Sequence, residues 1–329
     1  MAGALVGAVP DGVSGEPSRS RCRVTAFVAN SGSSSVSTID IKSRTKNADD
    51  IPVGQLPVGM AVTPDGKTVF VTNRASDSVS TIDAKTRAKY PDDIPVGSTP
   101  TGVAVSPDGK TAFVVNGISG TVSTVDVKTR TKNPTDIPVG SGAVGVAVTP
   151  DGKTAFVASG GMGTGNGRVS TIDVKTRTTK PGDITVGPFP FEVTFTPDGE
   201  TAFVANSGGN TVSTINVKTR TKNPTDITVG MAPGAVAFAP DGKTAFVTNT
   251  GSGTISTINV KTRTKNPDDI PVGSTPGGLA VTPDGKTLFV VNFSGGTVST
   301  IDLKTKTKTP DDIPVGSSPF DVAVPPCRR

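Results

Sequence analysis

The chemistry open to this chain is bounded first by what it lacks. Its 329 residues include no histidine, no tryptophan, a single tyrosine (Tyr90) and three glutamates, Glu16, Glu192 and Glu200. Without histidine there is no Ser-His or Cys-His nucleophile pair, no imidazole base and no His-liganded metal site. No catalytic residue is assigned, and neither a metal nor a cofactor is expected. Three sets of polar residues remain. Asp65, Asp108, Asp151, Asp198, Asp241 and Asp284 all stand in "PDG". Calcium favours oxygen ligands, but Pro-Asp-Gly is a turn signature and a whole repeat separates each Asp from the next, so these read as turn formers. Basic triplets recur as Lys42, Arg44, Lys46, then Lys128, Arg130, Lys132, then Lys218, Arg220, Lys222. Their i, i+2, i+4 spacing puts them on one side of an extended strand. They read as a solvated edge that discourages edge-to-edge pairing, with weak contact to polyanions as the functional alternative. Missing stacking aromatics argue against nucleic acid. The third set, Glu192 and Asp321, is meaningful only within the repeat.

"IPVG" or "ITVG" begins at Ile51, Ile94, Ile137, Ile184, Ile227, Ile270 and Ile313, at intervals of 43, 43, 47, 43, 43 and 43 residues. Each unit reads as four short strands. In one of them "GVAV" (102–105, strand a) meets "TAFVVN" (111–116, strand b) through the PDG turn. "GISGT" (117–121) leads to "VSTVDVKT" (122–129, strand c), and the polar "RTKNPTD" (130–136) leads to an outer strand d at "IPVG" (137–140). Strands a and b are apolar at nearly every position, as in strands buried on both faces, and nothing has helical periodicity. Repeated antiparallel four-stranded units of this length predict an all-β fold, a β-propeller.

The strings "FVTN" at 70–73 and 246–249 and "FVVN" at 113–116, between "PDGKT" and "VSTID", resemble the YVTN-type β-propeller repeat family. Phe replaces the family's tyrosine in every unit. The match runs from Val24 to Val324. The resemblance implies an extracytoplasmic or cell-surface protein. Distant seven-bladed relatives include lactonases and a lyase, so it implies no single activity.

Strands b and c occur seven times. The chain begins with b, c and d of a blade (24–54) and ends with a lone a strand, "FDVAV" at 320–324. Seven blades are expected, with the C-terminal strand completing blade 1 and closing the ring. A competitor, "GAVPDG" at 7–12, lacks the connection that precedes the other a strands. The domain reading is therefore a partly disordered tail at 1–22 and one propeller at 23–329, blade 1 being 23–54 plus 317–327. Counting along the repeat puts Cys22 and Cys327 both at the position of Asp65, in the a–b turn of blade 1. A disulfide between them is expected, which argues for an oxidising compartment.

Positions where the repeats disagree are the candidates for function. Phe189, Phe191, Phe293 and Phe320 are outside the strand pattern and lie in d–a or b–c connections, which emerge on one face. Where other units carry Gly59, Gly102, Gly145, Ala235 and Gly278, blade 5 has Glu192 and blade 1 has Asp321, nearly across the ring. The long b–c loop at 159–168, ending in Arg168, adjoins Phe189, and blade 2 adds Arg74 and Asp77. These nine residues form the expected ligand site. The chain is read as a secreted or surface-displayed monomer that binds a protein, peptide or glycan. A lactonase- or lyase-like hydrolase and a purely structural envelope protein are the alternatives.

Overall fold

The structure is a computed structural model that describes residues 25–160 and 165–326. Every regular element in it is a β-strand, and the strands group into seven antiparallel sheets. Blade 2 shows the plan: a (Pro57–Val62), b (Thr68–Asn73) and c (Ser78–Asp83), then a fourth strand d in two pieces, Ala88–Lys89 and Ile94–Pro95, both paired with c. The outer strand is thus longer than "IPVG" alone predicts, and "RTKNPTD" is an interruption within it. Only in blade 4 is d continuous, over Thr178–Pro188.

The innermost strands are Pro319–Ala323 in blade 1, Pro57–Val62 in blade 2, Pro100–Val105 in blade 3, Ala143–Val148 in blade 4, Pro190–Phe195 in blade 5, Pro233–Phe238 in blade 6 and Pro276–Val281 in blade 7. Pro319–Ala323 pairs with Thr25–Asn30, strand b of blade 1, through Phe27↔Ala323, Val28↔Val322 and Ala29↔Asp321. The ring therefore closes with the C-terminal strand, as expected. Pro326 packs against Gly66 as Pro64 packs against Gly109, so blade register persists to the last described residue. Cys22 and Cys327, and the segment at 7–12, lie outside the described residues.

The core is seven similar cores, one between each pair of blades. Phe113 and Val115 of blade 3 pack with Ala143, Val146, Val157 and Ile172 of blade 4. Across the closure, Phe289 and Val291 of blade 7 pack with Ala26, Val28 and Ile39 of blade 1. Burying one such Phe contributes about 1.5–3 kcal/mol.

A polar chain explains the rest of the motif. The Asn ending strand b donates to two hydroxyls of strand c: Asn73 Nδ2 lies 3.1 Å from Ser78 Oγ and 2.9 Å from Ser80 Oγ. Ser80 then donates to Asp93, 2.7 Å, which pairs with Lys89, 2.8 Å. The Gly of "IPVG" makes room for the next blade's Asn; a Cβ on Gly97 would sit 2.6–2.9 Å from Asn116 atoms. The Asn73 amide donors are satisfied in this way while its Oδ1 has no partner, and such buried donor bonds fix register as well as contributing stability.

The basic triplets do not share one extended strand. Lys42 and Arg44 lie in the turn between strand c (Ser35–Asp40) and the first d segment (Thr45–Lys46) of blade 1, and Arg44 has φ 57°. Lys46 folds onto Asp50 at 2.7 Å. Alternation fails because the chain reverses between the first and second residue of each triplet, Asp40 pairing with Thr45.

Candidate functional site

The a strands line the centre of the ring, and each bulges near its start: the register with strand b breaks between Pro57 and Gly59, Pro190 and Glu192, and their equivalents. The bulge turns the third residue towards the next blade. Small residues are required there in most blades. A Cβ on Gly102 would lie 2.6 Å from the carbonyl oxygen of Val144, and one on Gly145 would lie 2.7 Å from that of Phe191.

Two blades place a carboxylate at this level instead. Glu192 Oε2 accepts the N–H of Val236 in blade 6 at 3.0 Å. Asp321 Oδ2 accepts the N–H of Met60 in blade 2 at 2.9 Å, and Oδ1 accepts that of Val322 at 2.8 Å. Gly278 of blade 7 leaves the space into which the Asp321 carboxylate fits. Both residues are half-buried by surface area, but the carboxyls sit deep in the ring, and that depth sets their desolvation. Burial pushes Glu192 up to about 8, the charge of Asp321 adds to this, and the Val236 N–H partly offsets it. Burial pushes Asp321 up to about 6 against the two N–H donors. Both carboxyls are thus held above the ordinary range, Glu192 the more strongly.

The residues preceding the two acids, Phe191 and Phe320, meet, and Phe293 joins them to form an aromatic cluster. The rings of Phe191 and Phe320 lie 6.3 Å apart between centroids, and Phe293 meets Phe320 edge-on at 6.2 Å. Five of the nine predicted site residues thus come together: Phe191, Glu192, Phe293, Phe320 and Asp321. Gly and Ala at the other five positions keep the channel narrow enough for opposite blades to meet.

The remaining four lie elsewhere. Phe189 is 49 % exposed, with its ring over Gly160 and Gly208. The Asp77 carboxylate caps the neighbouring turn by accepting the Thr99 N–H at 2.7 Å, with φ 48° of its own. Arg74 is exposed in the same loop. Arg168 belongs to strand c of blade 4 (Asn166–Asp173) rather than to the mouth. Its Nη2 donates to the Val139 carbonyl at 3.1 Å and its Nε lies 3.5 Å from Asp183. It stands in for the polar chain of the other blades, since blade 4 has Ser159 in place of Asn and Thr179 in place of the paired Lys.

Sequence reasoning missed three residues on this face: Leu56, Ile118 and Met231, which are 41 %, 72 % and 60 % exposed. The signal was available. Ile118 stands where other repeats have Gly32, Ala75, Gly208, Gly251 and Ser294. The six PDG carboxylates act within their turns; Asp108, for example, accepts the Ser106 hydroxyl at 2.6 Å and the Lys110 N–H at 3.0 Å, which hold it below the usual carboxylate range.

Fold and comparisons together define a seven-bladed β-propeller. A protein of unknown function from Desulfotomaculum acetoxidans DSM 771 superimposes with a TM-score of 0.80 at 18 % identity, covering 92 % of this chain and 99 % of that one. A Bacteroides fragilis protein named provisionally as a 6-phosphogluconolactonase gives 0.78 at 20 % identity, covering 94 % and 99 %. The hydrazine synthase of Kuenenia stuttgartiensis gives 0.72 at 24 % identity, covering 80 % and 88 %. These likenesses establish the fold. The model of the choice-of-anchor I domain matches residues 117–224, well under half of the chain. No curated protein sequence matches.

Proposed function

We propose that this protein is a non-enzymatic binding module whose partner-facing surface is the face of the b–c and d–a loops. One observation carries the reading: the five exposed large apolar side chains among the described residues, Leu56, Ile118, Phe189, Phe191 and Met231, are all on that face. Apolar exposure confined to one face marks an interaction surface, and the Phe191–Phe320–Phe293 cluster supplies aromatic anchors. The partner class is a protein, peptide or glycan. The choice-of-anchor I match and the resemblance to YVTN-type propellers support a surface-associated, extracytoplasmic protein; that it acts as a monomer is part of the same proposal. A Cys22–Cys327 disulfide belongs to the same proposal; native protein whose unreduced mass shows two free thiols would remove it.

Peptide and glycan arrays test the binding reading. Ligands captured by the wild type should be lost by a variant carrying Ile118→Ser, Phe191→Ser and Met231→Ser with unchanged melting. Ligands retained by that variant would refute it.

The hydrolytic alternative has one feature in its favour, two buried carboxyls in one channel that feel each other's charge and are both raised, Glu192 more than Asp321. Hydrolysis of a lactone panel that disappears in Glu192→Gln would establish it. Both carboxylates bond to backbone N–H groups, which favours the binding reading.

A further inference from the structure

The face opposite the loops is chemically different. We propose that it docks a linear acidic polysaccharide through the seven c–d turns. Each turn carries two cationic residues, at the positions of Lys42 and Arg44 in blade 1 and Lys304 and Lys306 in blade 7. Twelve of these fourteen are exposed. The other two bridge blades: Arg130 stacks 3.9 Å over Tyr90, and Arg220 donates to the carbonyls of Pro181 and Gly182.

The backbone gives an independent indication that this charge is used. The six arginines from Arg44 to Arg263, and Lys306, all have φ between 56° and 61°. A left-handed backbone costs an L-residue energy that Gly escapes and Asn partly escapes. On the loop face the left-handed positions are mixed, with Gly120, Gly253, Gly296 and Asn210 beside Ser34, Asp77, Leu56, Thr99 and Ala232. In the c–d turns all seven carry a cation, so the residue type is uniform here where it varies on the loop face.

Nearby carboxylates offset the ring only in part, one aspartate against two cations in a turn, as Asp83 feels Lys85 and Asp302 feels Arg44. Asp83, Asp126, Asp173 and Asp302 point back into their own turns, accepting the N–H groups of Thr86, Thr129, Thr176 and Thr305. Blades 5 and 6 carry the neutral Asn216 and Asn259 in that role. The lysines of strand d are already paired, as Lys132 is with Asp136 at 2.7 Å. The a–b turns balance an Asp against a Lys, as in Asp65–Lys67 at 3.1 Å, and only blade 5, with Asp198 and Glu200, is acidic there.

The kind of polyanion follows from what surrounds the charge. Among the described residues the exposed large apolar side chains are on the other face, so none of them offers this one an anchor for a lipid surface. Tyr90 lies beneath Arg130, so it offers no free ring on which bases could stack. Cation pairs repeated blade by blade suit a flexible chain of carboxylates that can occupy successive turns, each adding to avidity.

The test is calorimetric titration of the full chain with alginate oligomers of about 4 to about 20 sugars, in graded NaCl. Affinity should rise with length and fall with salt. A variant with Lys42, Lys85, Lys261 and Lys304 changed to Gln, and Arg44, Arg87, Arg263 and Lys306 changed to Asn, should lose at least about tenfold in affinity. Its melting temperature should hold or rise, because Asn relieves the left-handed strain; a purely structural role predicts the reverse. The two-residue variant Lys261→Gln, Arg263→Asn gives a smaller loss if the larger one does not fold. Unchanged affinity in both would overturn the proposal, as would an equal loss in Arg74→Gln on the loop face. Tighter binding to phosphatidylglycerol–phosphatidylcholine vesicles or to single-stranded DNA, at equal anionic charge, would also overturn it.

Discussion

Replacing Glu192 by Gln should remove most of the dependence of stability on pH between about 5 and about 8. The folded state raises this carboxyl from an ordinary 4.5 to about 8, so the folded protein holds the proton more tightly than the unfolded chain does. The resulting stabilisation is fully present below pH 4.5 and is lost as pH rises through about 8. Each pKa unit is worth about 1.4 kcal/mol, so the full span is about 3–5 kcal/mol. Asp321, raised from 3.8 to about 6, adds a loss of the same sign at lower pH. An entropy of unfolding near 2 cal/mol/K per residue, over about 300 residues, converts 3–5 kcal/mol into about 5–8 °C of melting temperature. Gln keeps an oxygen for the Val236 N–H and mimics the protonated acid. The variant should therefore melt like the wild type near pH 5 and above it near pH 8.5 by about that margin. Thermal melts across this range decide the matter, with Asp321→Asn as a companion that lowers but does not abolish the Glu192 shift, since burial is its larger cause. Parallel pH profiles for wild type and Glu192→Gln, or a wild type that gains stability with pH, would refute the reasoning.

Other outcomes follow from the repeat. Phe113→Ala opens a cavity between blades 3 and 4, where Phe113 is fully buried, and should cost about 3–5 kcal/mol in denaturant unfolding. Gly97→Ala drives a methyl into Asn116 and should cost about 1–3 kcal/mol. Gly165→Ala meets nothing within 4 Å and serves as the control. In blade 4, Arg168→Thr alone leaves Asp183 without its cation and should destabilise. Adding Ser159→Asn and Thr179→Lys rebuilds the polar chain of the other blades and should recover the loss, a coupling that additive effects would not produce.

Much of this molecule was legible because each signal was repeated. A PDG turn six times over, with a buried Phe on strand b and an alternating strand c seven times over, admits few architectures. The split of b, c and d at one end from a at the other required closure, as the Phe27↔Ala323 pairing bears out. The broken outer strand was less legible, because two-residue pieces carry too little periodicity to separate from a loop. The basic triplets misled for a related reason: alternation predicts a shared face only where the chain is extended, and Arg44 reverses it.

The sequence by itself determined the blade count, the closure and the residues that depart from the repeat, since these are properties of strings and their spacing. It placed Glu192 and Asp321 at equivalent positions of nearly opposite blades. Only the tertiary structure decided that a narrow, glycine-lined channel brings them within each other's field, that Phe191, Phe293 and Phe320 meet, and that Arg168 is spent between blades 3 and 4. The reason is physical. Desolvation, charge coupling and ring contact depend on distances across the ring, between residues far apart in the chain, and no local pattern encodes those distances.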